Sequence, residues 1–226
     1  MPKVIAVIPA YNEESRIGPV IRNCLNFVDA VVVVADGSVD GTAILAHQNG
    51  AHVLTHPINR GQGAAIQTAT EYALNVLEAD IIVHFDADGQ MNPEEISEIT
   101  APLLNGEYDL VLGSRNLGRS PKAMPLSRKI TLKLSLLFTQ IVSGVRITDT
   151  HCGFRALTAD AAKKMTITID RMAHASQIYD LIKINNIRFT EVPVTITYTA
   201  DTLKKGMKFS SGFVVLRDYF IHKLFG

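Results

Sequence analysis

A mostly parallel α/β sheet flanked by helices is the fold class this sequence predicts, on three observations. Short apolar runs rich in valine and isoleucine recur through the first half without polar alternation, the pattern of strands buried on both faces. Stretches of helical periodicity separate them, as in βαβ units. Polar clusters follow several of the runs at their C-terminal ends, the edge at which open parallel sheets bind ligands.

The first strand is predicted at Val4 to Ile8, with a helix from about Glu13. Ala30 to Val34 is the second, before a helix from about Gly41, and Val53 to Thr55 the third, before a helix from about Gln62 to Leu77. Asp80 to Phe85 is the fourth, before a helix from Pro93, and Leu110 to Gly113 the fifth. Beyond it the character changes. Arg115 to Lys133 holds Arg115, Arg119, Lys122, Arg128, Lys129 and Lys133 with no acidic residue, and Leu126 to Val142 is helical in pattern. Arg188 to Tyr198 alternates like a strand, and Lys204 to Phe225 has the pattern of a basic amphipathic helix.

The 226 residues, 47% hydrophobic and 19% charged, suffice for one domain with a substantial core. Lys plus Arg and Asp plus Glu both total 22, so no whole-molecule field draws the chain to nucleic acid. Met1 to Asn12 lacks a signal-peptide pattern, and no apolar run approaches the roughly 20 residues of a spanning helix, so the cytosol is expected. Cys24 and Cys152, with no CxxC or Cys/His spacing, are expected to be reduced thiols.

The stretch HFDADGQMNP, His84 to Pro93, ends the fourth apolar run. Asp86, Asp88 and Gln90 there offer hard oxygen donors of the kind Mg²⁺ or Mn²⁺ prefers, few enough for phosphate oxygens and water to complete the shell. Asn92 and Pro93 start a helix, with Glu95 placed for a capping box. In ADGSVDGT, Asp36 is a ligand contact for a nucleobase or ribose, while Ser38 or Asp40 caps the next helix. NRGQGAA, Asn59 to Ala65, is neither GxGxxG nor a Walker loop and reads as a close turn before a helix. Arg115 of GSR and Arg128 are candidate phosphate ligands. TDTHCGFRAL, Thr148 to Leu157, brings Asp149, His151 and Arg155 into one glycine-containing turn, with Asp149 ranked above His151.

In this order and spacing, IPAYNEE, ADGSVDGT, FDADGQ, GSR and DTHCGFRAL resemble the inverting family 2 glycosyltransferases of the Rossmann-like GT-A fold, those like dolichyl-phosphate mannose synthase and bacterial polyprenyl-phosphate glycosyltransferases above all. The resemblance covers roughly residues 4 to 200. It implies one GT-A domain over 1–226: a nucleotide-binding half at 1–114, an acceptor-side half at 115–200 and a basic amphipathic tail at 201–226. It implies that Pro9, Ala10, Tyr11 and Glu13 line the nucleotide pocket with Asp36, Asp86 and Asp88, and that Asp86, Asp88 and Gln90 hold Mg²⁺ or Mn²⁺. It gives the catalytic set as Asp88, Arg115, Arg128 and Asp149. Two departures stand out: Ala35 replaces the first of the family's paired acids, and Gln177 stands where many relatives have an acid.

The expected activity is transfer of a sugar from a nucleotide-sugar donor to a polyprenyl-phosphate or glycan acceptor. A lipid phosphate needs positioning by Arg115, Arg128 or Lys205 rather than a base; a hydroxyl needs a base, for which Asp149 is the candidate. The tail, with Lys204, Lys205, Lys208, Arg217 and Lys223 among Phe213, Val215 and Phe220, suits peripheral contact with the inner face of a membrane. Packing of that apolar face on the domain, on a membrane-protein partner or on a second copy in a homodimer is the alternative. Two other functions stay open on sequence: a haloacid-dehalogenase-like phosphatase with Asp86 as nucleophile, and a non-catalytic nucleotide-sugar-binding scaffold.

Overall fold

The computed structural model describes residues 1–117, 136, 139–140, 143–150, 152–171 and 173–197. Its centre is a seven-stranded sheet. The strands are β1 (Val4–Ala10), β2 (Ala30–Asp36), β3 (His52–His56), β4 (Ile81–His84), β5 (Leu110–Ser114), β6 (Arg155–Thr158) and β7 (Phe189–Pro193), in the spatial order β3-β2-β1-β4-β6-β5-β7. All neighbours are parallel except β6, which runs antiparallel to both β4 and β5. The mostly parallel sheet expected from the sequence is therefore present.

Strand alternation divides the core into two layers. Ala6, Ile8, Val31, Val33, Val83 and Phe85 face α1 (Glu14–Cys24), α2 (Thr42–Gln48) and α4 (Ile96–Leu104). Ile5, Val7, Val32, Val34 and Ile82 face α3 (Gln62–Asn75), α5 (Ala159–Lys164) and α6 (His174–Ile184). With helices on both faces, the inner strands bury both sets of side chains, which is why their runs show no polar alternation.

Three expectations change. Strand β6 was not predicted: RALT is short, and its first residue is an arginine, yet Arg155 is only 4% exposed. The last predicted strand is shorter than Arg188 to Tyr198, since β7 ends at Pro193 and the chain then crosses to the β4 loop through a bridge between Met91 and Ile196. The capping box is half present. Asn92 Oδ1 accepts from Glu94 N–H at 3.2 Å and Pro93 opens the 3₁₀ turn, but buried Glu95 directs Oε2 to Thr195 N–H at 2.8 Å, tying this helix start to the chain after β7. Of the helix predicted at Leu126 to Val142, the described residues Leu136, Thr139 and Gln140 are helical. The tail at 201–226 lies outside the described residues.

Candidate active site

Because β1, β2, β3 and β4 are parallel, the loops leaving them share one edge, and because β6 is antiparallel its entry segment joins them there. The loops are stitched together by polar side chains. Asn12 N–H donates to Ser38 Oγ at 3.1 Å and Val39 N–H to Asn12 Oδ1 at 3.0 Å. Glu13 N–H donates to Thr42 Oγ1 at 2.9 Å, and Glu14 N–H to Asp40 Oδ2 at 3.2 Å. Ser38 and Asp40 thus bridge the loops after β1 and β2. Pro9 and buried Ala10 end β1, Tyr11 stands 51% exposed on the rim, and Glu13 Oε2 pairs with Arg16 at 2.8 Å.

Asp36 is 3% exposed, and its carboxylate turns to the protein. Oδ1 meets His56 Nδ1 at 2.6 Å and accepts from Arg60 N–H at 3.0 Å, while Oδ2 accepts from Gly61 N–H at 2.7 Å. This acid fastens the NRGQG turn to β2. The two glycines of that turn have a steric reason. Gly61 has φ of +102°, and a Cβ on Gly63 would lie 2.0 Å from Ile169 O. Ala64 N–H donates to Asp170 O at 3.0 Å, so the start of α3 is covered by the 167–171 segment, in agreement with a close turn rather than a phosphate cradle.

At the tip of β4, Asp86 and Asp88 are half-buried. Burial, and then the charge of Asp88, push the Asp86 carboxyl up to about 6, against the opposing effects of Arg155 and of Gln62, whose Nε2 donates to Oδ1 at 3.1 Å. Asp88 Oδ1 accepts from Gln90 N–H at 3.0 Å, and Thr197 N–H donates to Gln90 O at 2.8 Å. Two like charges held side by side are stabilised by a cation between them. A second observation fits: a Cβ on Gly153 would come within 2.8 Å of Asp86 Oδ2, so the glycine vacates the volume the carboxylate occupies. Among the described residues no three His, Cys, Asp or Glu side chains form a metal cage, and Asp86, Asp88 and Gln90 follow one another on the loop that leaves β4.

On the far side of the edge, Arg115 and Asp149 meet each other. Arg115 Nε donates to Asp149 Oδ2 at 2.6 Å, Nη2 to Oδ1 at 2.6 Å and the Arg115 N–H to Oδ2 at 3.0 Å, with the two residues 6% and 5% exposed. The residues expected as a phosphate ligand and as a base are joined here in a bidentate ion pair. Its surroundings hold it rigidly: Glu191 accepts from Thr148 N–H at 2.9 Å, Ser114 Oγ lies 2.6 Å from Thr148 Oγ1, and Tyr179 OH donates to Asp149 O at 3.3 Å. Gln177 is 7% exposed and staples the 168–169 backbone, accepting from Thr168 N–H at 3.0 Å and Ile169 N–H at 3.1 Å. Arg128, His151 and Lys205 lie outside the described residues.

Sequence reasoning missed Gln62, Gly153 and the burial of His84 and His174 with Arg155 under the β4 loop, Arg155 having been read only as part of the turn with Asp149 and His151. The signal for the last was present as polar residues inside apolar runs. Cys24 and Cys152 are free and buried, and burial pushes both thiols up to about 12, as expected of inert reduced cysteines.

Comparison with known proteins fits this arrangement. The chain is similar to the UDP-N-acetylglucosamine–dolichyl-phosphate N-acetylglucosaminyltransferase of Methanococcus voltae, 32% identical across 94% of this chain and 92% of that protein. It is similar also to the polyprenol monophosphomannose synthase of Mycolicibacterium smegmatis, 29% identical across 87% of this chain and 77% of that protein. Among solved structures, glucosyl-3-phosphoglycerate synthase of Mycobacterium tuberculosis superposes with a TM-score of 0.66 at 22% identity, covering 89% of this chain and 74% of that one, which shows the GT-A architecture. That enzyme has been crystallised with Mn²⁺, UDP and glucosyl-3-phosphoglycerate. The match to glycosyl transferase family 2 runs over residues 5–165, from the first strand through the segment that inserts β6, and the chain belongs to that family of glycosyltransferases.

Proposed function

We propose that this glycosyltransferase moves a sugar from a nucleotide-sugar donor to a polyprenyl-phosphate acceptor with the aid of Mg²⁺ or Mn²⁺. The observation that carries the reading is the like-charged pair Asp86 and Asp88 at the tip of β4, beside the stitched loops after β1 and β2. Asp86, Asp88 and Gln90 would hold the cation, which when bound neutralises the leaving nucleoside diphosphate. Pro9, Ala10, Tyr11 and Glu13 form the adjoining wall for the nucleotide. Asp36 acts there indirectly, by holding the turn at Arg60 and Gly61 in place.

The acceptor follows from the ion pair. A carboxylate held on both oxygens by a guanidinium is poorly suited to take a proton, and a lipid phosphate is already anionic and needs no base. Transfer to a glycan hydroxyl requires one, and the Asp149–Arg115 pairing speaks against that version. The names of both curated relatives, which act on dolichyl or polyprenol substrates, support the same choice. Arg128, on its resemblance to the family pattern, remains the candidate for the acceptor phosphate. A polyprenyl chain is apolar, so the encounter with such an acceptor belongs at a membrane surface; among the described residues no helix is long and apolar enough to cross a membrane.

The test is thermal stability with UDP, GDP, CDP and dTDP, each with Mn²⁺ or with chelator. A ligand at 100 times its dissociation constant adds about 2.7 kcal/mol. One nucleotide should raise the melting temperature only when Mn²⁺ is present, and Asp88→Asn should abolish the rise. No response to any nucleotide would remove the cation-diphosphate reading.

A further inference from the structure

The pairing of β4 with β6 continues past the strand ends. His84 faces Arg155 in the antiparallel register, and the same count sets Phe85 opposite Phe154 and Asp86 opposite Gly153. The first is seen as an edge-to-face ring contact at 5.3 Å between centroids, the second as the 2.8 Å approach of Asp86 Oδ2 to where a Gly153 Cβ would be. Arg155 is therefore the diagonal neighbour of Asp86 on the α3 and α6 face, a pairing that spans about 7–8 Å and lies within reach of a long side chain.

Its environment is unusual for a cation. Arg155 is 4% exposed; Nη2 donates to Cys152 O at 3.2 Å, while Nε and Nη1 have no hydrogen-bond partner among the described residues. Both ring nitrogens of His84, also 4% exposed, are equally unpartnered. Of the ionisable groups around Arg155, His174 is held down to about 4 by burial and then by the positive charge of Arg155, and burial pushes the Cys152 thiol and the Tyr179 phenol up, so these three are neutral at pH 7. Asp149 is already paired with Arg115. A buried guanidinium without a counter-charge is strongly destabilising, and the carboxylate that completes the balance is Asp86.

We propose that Arg155 is a positioning residue, the buried counter-charge of Asp86, which stabilises the β4 loop when no divalent cation is bound and thereby limits how tightly the cation is held. The inference rests on the reading of Asp86 and Asp88 as the cation site. In the loaded state the cation and Arg155 share Asp86 and repel each other; in the empty state Arg155 opposes the charge of Asp86. Release of the cation with the nucleoside diphosphate is made easier by that compensation. If Arg155 were only a strut for Cys152 O, removing it would loosen the site and weaken binding of everything.

The two roles differ in sign. Arg155→Met should bind Mn²⁺ with UDP roughly tenfold more tightly than the wild type, from the loss of a nearby positive charge. It should release UDP more slowly and show a larger Mn²⁺-dependent rise in melting temperature, whereas Arg155→Lys should match the wild type in all three. Calorimetric titration of Mn²⁺, alone and with UDP, reads this without any turnover. Weaker or unchanged binding in Arg155→Met overturns the proposal while leaving the cation site standing; a wild type that responds to neither UDP nor the other diphosphates removes both. Should Arg155→Met fail to fold, Asp86→Asn in the metal-free protein decides. Loss of Arg155's counter-charge should lower the melting temperature, and a rise, as expected from simple relief of repulsion with Asp88, overturns the proposal.

Discussion

Two carboxylates on the same edge of the sheet carry opposite environments. Asp149 has a guanidinium across both oxygens, and Asp86 has a second carboxylate beside it. Such divergence suits separate tasks: the first is held, and the second is the one we propose to meet a cation. The pairing of Asp149 makes a prediction of its own. Both side chains are nearly inaccessible, 8% for Arg115 and 3% for Asp149, so solvent screens the pair little. Removing one partner of a buried pair leaves the other uncompensated, at about 3–5 kcal/mol. Asp149→Asn and Arg115→Met should each lose stability on that order in chemical denaturation. The double variant Arg115→Met/Asp149→Asn should lose clearly less than the sum. Additive losses would mean that the two residues act independently, and would restore Asp149 as a candidate base.

At the scale of elements, the loops rather than the strands determine the site, and the close approach of the 167–171 segment to the start of α3 is the tightest of these contacts. Replacing a helix glycine with alanine ordinarily gains about 0.5–1 kcal/mol. At Gly63 the new Cβ would lie 2.0 Å from Ile169 O and 2.9 Å from Asp170 O, and backbone cannot yield as a side-chain tip can. Gly63→Ala should therefore destabilise by about 1–3 kcal/mol, the usual range for overpacking, read from the shift in denaturation midpoint; a gain would show that the segment does not pack there. The same contact explains what was legible in the sequence. Strands β1, β2, β4 and β5 were readable because both of their faces are apolar, and the DAD loop because an apolar run delivers its acids to a strand end. The NRGQG glycines were readable as a turn, but their cause lies about a hundred residues away, in a segment with no periodic signature. Strand β6 was not readable because it is four residues long and buries an arginine at a position where a strand pattern calls for an apolar side chain. The partnership of Arg115 with Asp149 was hidden in another way: each residue taken alone has the chemistry of a site, and only the antiparallel insertion of β6 brings the segments together.

For the whole molecule, the equal totals of acidic and basic residues leave no net field, so its response to pH is set by a few buried groups. His174 is the clearest. It is 2% exposed, its Nδ1 lies 2.7 Å from Arg171 O, and Arg155 and His84 are the charged and titratable groups on the β-sheet side that faces it. Burial, and then the Arg155 charge, lower it to about 4 from the ordinary 6.5. Folding then disfavours the protonated ring, so the unfolded chain binds more protons than the native one between those two values, and stability falls as pH falls through that window. Above about pH 6.5 both states are neutral at this ring and the effect vanishes; near pH 5 it reaches about 2 kcal/mol by linkage. The wild type should lose stability from pH 7 to pH 5 more steeply than His174→Gln, whose side chain does not titrate, with the two denaturation curves closest in slope above pH 7. Parallel losses over the acid range would show that His174 takes up its proton in the native state, and that the interior beneath the β4 loop admits a charge.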